Sequence, residues 1–137
     1  MVSAISTSNN YFLQPSLVEM HRKSLEYLSA TILWKRELGF FQKLLDKSAP
    51  KFSSVEEKKL MGHFQSLITY YSGELVDLLH KKIREHEHGL ALILQKQTES
   101  DAPYFAEHHD LLTQMESFSK SYDEFRHDFY DFVEKTI

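Results

Sequence analysis

The sequence predicts an all-α fold: an antiparallel up-down-up three-helix bundle with a long, coiled-coil-like middle helix. Three observations predict it. Apolar residues recur at three- and four-residue steps along most of the chain, and nothing alternates with period two over a useful length. The three prolines, Pro15, Pro50 and Pro103, fall at breaks in that pattern, where they cost little, rather than inside it, where each would cost about 3 kcal/mol. The four glycines, Gly39, Gly62, Gly73 and Gly89, instead lie inside periodic stretches, weakening helix propensity without ending it.

Residues 1–14 are polar and small until Tyr11-Phe12-Leu13 and lack the basic and apolar regions of a signal peptide. We read residues 1–15 as a tail, either loose or docked through Tyr11, Phe12 and Leu13, and residues 16–137 as one helical-bundle domain. The first helix should run over about 17–47, opened by a capping box of Ser16 and Glu19. Leu17, His21, Leu25, Leu28 and Ile32 share one side. Met20, Tyr27, Trp34, Leu38, Phe41 and Leu45 share an adjoining side, while Leu33, Phe40 and Leu44 lie nearly opposite the first. That apolar girth is too wide for a single neighbour.

The middle helix should begin after Ser53, boxed with Glu56. Phe64, Ile68, Tyr71, Leu75, Leu79, Ile83, His86, Leu90 and Ile93 carry its stripe, which reads as crossing Gly73 without a change of phase. One helix to about residue 98 is the expectation, about 68 Å long. A four-helix bundle, broken near Ser72-Gly73, is the alternative. The last helix should start near Ala102, capped by Asp101, with Pro103 in its first turn. His108, Leu112, Met115, Phe118, Tyr122, Phe125, Phe129 and Phe132 form its stripe, widened by Tyr104, Phe105, Leu111 and Val133.

Short linkers should reverse the chain twice. Paired residue numbers should then total about 99 in the first hairpin and about 200 in the second. On that register the last helix ends before the level of Trp34, Phe40, Phe41 and Leu44. Those four residues become a candidate interface, covered by a second copy in a homodimer or by another helical protein.

The chain has 137 residues, no cysteine, twenty acidic and sixteen basic side chains, and eight histidines. It has no thiol for disulfides or thiolate catalysis, and the count suits a reducing, cytoplasmic setting. Isolated glycines provide no phosphate loop, and no serine sits in a nucleophile elbow. Net acidity and the lack of a basic stripe weigh against nucleic acid. No apolar run approaches the roughly 20 residues that span a bilayer, and mixed charges favour protein packing over a membrane surface.

The histidines prompt a metal reading. Glu85/His88 and Glu124/His127 each make Glu-x-x-His, the unit that pairs in ferritin-like bundles. The expected register separates them by about 22 Å along the middle helix, so they should not share one centre. Glu26, Glu74 and His127, with His21 and His80 one turn away, are the better-matched set and could take zinc, manganese or iron. The rival reading is a polar seam or exposed flank bonded to itself and to water. His86 and His108 lie on the apolar stripes as core histidines, whereas His88 and His109 should be solvated. No catalytic residue is assigned. The leading expectation is a non-enzymatic helical scaffold or interaction module that self-associates; the alternative is a metal-binding helical protein.

The segments HFQSLITYYSGELVDLLHKKIREHEHGLA (63–91), ELGFFQKLLDK (37–47) and SYDEFRHDFYDFV (121–133) resemble parts of small bacterial helical-bundle proteins of no assigned function. The resemblance implies a helical bundle and carries over no catalytic residue, cofactor or partner. The resemblance to haemerythrin-like and ferritin-like bundles goes no further than helices and histidines. The likeness to spectrin-type three-helix units is one of architecture.

Overall fold

The computed structural model describes residues 17–96 and 102–136. Among them there is no strand, and the helices are α1 (Leu17–Ser48), α2 (Val55–Tyr70), α3 (Val76–Lys96) and α4 (Ala102–Glu134). The Ser16 cap, the Asp101 cap and the docking of the tail lie outside the described residues. Contacts fix the direction of each helix. Thr31 meets His80, Lys35 meets Asp77 and Gln42 meets Gln65, so α1 runs antiparallel to α2–α3. His86 meets His108 and Phe64 meets Phe129, so α4 also runs antiparallel to them. Trp34 on Phe118 and Phe41 on Phe125 set α1 parallel to α4. The up-down-up arrangement is therefore the architecture of the chain.

The middle helix keeps a helical backbone from Val55 to Lys96, so Ser72-Gly73 is not a break. A π-helical turn, Tyr71–Leu75, joins α2 to α3 there, with helical φ and ψ on both sides. The cause is legible in the packing. Buried positions fall at Phe64, Ile68, Val76, Leu79, Ile83, His86 and Leu90. The step from Ile68 to Val76 is one residue longer than the heptad step that would keep both on one face, and the wide turn absorbs the extra residue. The phase therefore does change at Gly73. Lys35 of α1 braces the turn by donating to the Ser72 carbonyl and, at 3.0 Å, to Asp77.

The first connection differs from the expected tight turn. A 3-10 turn, Ala49–Lys51, follows α1, and then Phe52 is extended with φ −90° and ψ 118°. The helix is opened by Ser54, not Ser53. Its side chain accepts from the Glu57 amide, and Glu57 accepts from the Ser54 amide, a capping box one residue later than expected. Phe52 is buried and stacks on Phe132 at 4.3 Å.

The longer connection moves the register. Paired numbers between α1 and the middle helix total about 107–112 instead of 99 (Gln42 with Gln65, Lys35 with Asp77). Those between the middle helix and α4 total about 193–196 instead of 200 (Phe64 with Phe129, Lys82 with Gln114). All three columns consequently overlap along their common length. Trp34, Leu38, Phe41 and Leu45 join Phe118, Tyr122, Phe125 and Phe129 in one aromatic-rich core. A smaller cluster of Met20, Leu90 and Tyr104 closes the other end.

Candidate interaction surface

The shifted register corrects the expected interface. Trp34 and Phe41 are buried inside the single chain because α4 reaches their level: Trp34 packs on Phe118 and Tyr122, and Phe41 on Phe125, Phe129 and Tyr130. Leu44 is half-buried against the same core. Of the four, Phe40 remains exposed.

A different apolar surface takes its place. Leu25, Ile32, Leu33 and Phe40 on α1 are between 47% and 60% exposed, and Val18 is more exposed still. The sequence grouping sets Leu33 and Phe40 nearly opposite the side of Leu25 and Ile32, but at 100° per residue the two pairs stand only about 60–100° apart, and the core face of α1 is instead Met20, Thr31, Trp34, Leu38, Phe41 and Leu45. Aromatic partners on α4 claim that face and rotate Leu25 and Ile32 outward. The outward stripe has its own signal in the sequence: Val18, Leu25 and Ile32 repeat every seven residues, as do Leu33 and Phe40.

The proposed metal ligands are not brought together. Glu26 is exposed and pairs with Arg22 and, at 3.6 Å, with Lys23. Glu74 is exposed in the π turn. His127 is exposed, 3.5 Å from Asp131. His21 contacts Glu87 near the far end of the bundle, and His80 Nδ1 lies 2.9 Å from the Thr31 hydroxyl. The register that would have levelled Glu26 with Glu74 is off by about ten in the paired total, so these groups sit several turns apart. Among the described residues no cluster of three or more histidine or acidic side chains is placed to hold a metal ion. Two shallow grooves meet at His80. One, of about 320 Å³, includes Thr31, Ile32, Lys35 and Asp77, and the other, of about 460 Å³, includes Arg84, Glu85 and His88.

The most organised polar group is interior. His86 and His108 are buried between α3 and α4, with His86 Nε2 3.0 Å from His108 Nδ1 and His86 Nδ1 3.0 Å from Glu107 Oε1. The Tyr104 ring stacks flat on His86 at 4.3 Å. Burial, reinforced by the neighbouring imidazoles of His86 and His109, pushes His108 down to about 4. His108 is therefore neutral near pH 7. One self-consistent proton arrangement has His86 donating through Nδ1 to Glu107 and accepting the His108 Nδ1–H at Nε2. The chain of groups serves to satisfy buried nitrogens. His88 and His109 are exposed, as expected.

A second interior anchor lies between α1 and α4. Glu37 Oε1 accepts from the Tyr122 hydroxyl at 2.7 Å and from Arg126 Nε at 2.9 Å, while Arg126 lies over the Tyr122 ring. Burial, helped by the adjacent Glu37 carboxylate, holds the Tyr122 phenol well above its usual range. Sequence reading missed this trio because a lone glutamate on a helix carries no spacing motif.

No known protein family, curated protein or solved structure matches this chain. No helix among the described residues is long and apolar enough to cross a membrane.

Proposed function

We propose that this chain is a non-enzymatic, cytoplasmic helical interaction module that self-associates as a homodimer. The observation that carries the reading is the outer face of α1, where Leu25, Ile32, Leu33 and Phe40 stay exposed although the bundle beneath them is fully packed. Apolar side chains so aligned favour leaving water, at roughly 25 cal/mol for each Å² removed. Contiguous exposed apolar surface of this kind marks interaction sites. The cysteine-free composition supports the cytoplasmic setting. The buried histidines support a structural rather than chemical role, since His86 and His108 direct their ring nitrogens at one another and at Glu107.

Light scattering across a dilution series tests the proposal. The expected mass is twice 16.2 kDa at tens of micromolar, falling towards 16.2 kDa on dilution. A mass fixed at 16.2 kDa throughout would overturn it.

A further inference from the structure

We infer that the dimer forms through α1 against α1 of a second copy, antiparallel, with its twofold axis between Ile32 and Leu33. The inference rests on the self-association proposed above and adds its surface and geometry. At about 100° per residue, Val18, Arg22, Leu25, Ser29, Ile32, Leu33, Arg36, Phe40, Lys43 and Lys47 share one outward sector of α1 roughly 120° wide. All ten are exposed, and none is a carboxylate.

The order of residues along that sector reads the same from either end. A twofold axis between Ile32 and Leu33 sets Ile32 against Leu33 and Leu25 against Phe40, each twice. These four central apolar residues thereby meet only apolar residues, over a stretch about 22 Å long. Ser29 falls against Arg36, so Arg36 meets no like charge. Such self-complementarity is what an isologous interface requires.

Charge selects the same arrangement. Arg22 is held by both Glu19 and Glu26, and Lys23 lies 3.6 Å from Glu26, so the four side chains balance in charge. The twofold places Arg22 opposite Lys43 of the second copy, where the two carboxylates that hold Arg22 offset its charge and no bare like-charge pair results. A parallel pairing would instead set Arg36, Lys43 and Lys47 each against its own copy, three like-charge contacts at helix-packing distance.

The absence of cysteine makes the test direct, because every thiol is an introduced one. Val18→Cys and Lys47→Cys variants are prepared separately, mixed, and treated with a short bismaleimide spanning about 8–10 Å, the usual interaxial distance. The mixture should give a covalent 18–47 dimer. Neither variant alone should, since in the antiparallel pair two copies of residue 18 lie about 44 Å apart. Ile32→Lys, at an exposed position, should raise the dimer dissociation constant at least tenfold while leaving the thermal melt unchanged at dilutions where both proteins are monomeric. Lys58→Ala, exposed on α2 and outside the α1 sector, should leave it unchanged. A dimer mass with 18–18 cross-links, or with no cross-link through α1, would overturn this arrangement while leaving self-association standing. A constant monomer mass, with or without binding to anionic vesicles, would overturn both.

Discussion

Phe52, the buried residue of the first connection, stacks on Phe132 near the end of α4, with ring centroids 4.3 Å apart and planes 22° apart. Phe64 approaches the same Phe132 ring at 5.0 Å. The loop therefore acts as a wedge that seats the end of α4, and Thr136 reinforces it through a 3.2 Å hydroxyl bond to Ser48. This contact holds the register in which α4 covers Trp34 and Phe41.

Phe52→Ala should cost about 3–4 kcal/mol of unfolding free energy, the range for emptying a buried aromatic site. Val55→Ala, three residues on and 70% exposed, should cost under about 0.5 kcal/mol. Urea denaturation followed by circular dichroism would compare the two. Equal effects would show that Phe52 is no anchor.

The π turn makes a prediction about a deletion. Removing Gly73 takes out the surplus residue between Ile68 and Val76 and lets both faces meet in ordinary α-helix. The shortened protein should keep its helical signal and melt within a few degrees of the parent. Removing Lys81 instead turns the preceding and following stripes about 100° apart and should unfold the bundle. A collapse of the first variant, or survival of the second, would contradict the phase argument.

Acid should weaken the fold through His108. Its folded value is about 4, below the ordinary 6.5. The unfolded chain thus takes up a proton below about pH 6.5 that the folded chain refuses until about pH 4. Stability is retained above pH 6.5 and falls as pH drops through that window, by about 3 kcal/mol in all at 1.36 kcal/mol per unit. His108→Gln removes the titrating group and keeps a polar partner for His86. The stability gap between the two proteins should therefore shift in the variant's favour by about 2 kcal/mol between pH 6.5 and 5. Parallel pH profiles for the two proteins would refute this.

Glu37 joins two donors, so its effects should couple. Glu37→Ala leaves the Tyr122 hydroxyl buried without its acceptor and should cost about 2 kcal/mol. Tyr122→Phe should cost about 1–1.5 kcal/mol. The double variant should cost less than the sum, because the second change removes the group that the first one strands. Strict additivity in a double-mutant cycle would show that the contact contributes nothing in solution.

The sequence by itself determined the helices, their order and most of the core. Periodicity and the placement of prolines and glycines are local properties, and Met115, Phe118, Tyr122, Phe125, Phe129 and Phe132 are buried where the stripe put them. The π turn was not read there: the three successive four-residue steps from Tyr71 to Ile83, each drifting about 40° around the helix, pass for one continuous stripe, and only the buried set shows the surplus residue. What only the tertiary structure decided was register and facing. A helix as aromatic and apolar as α1 offers several faces to its neighbours. Which one is buried depends on how far Phe52 carries the chain before α2 begins, and no local pattern encodes that reach. A shift of about ten in the paired total was enough to bury Trp34 and Phe41 and to part Glu26, Glu74 and His127. It also left Leu25, Ile32, Leu33 and Phe40 outside, because helices of fixed rise can align only one set of levels at a time.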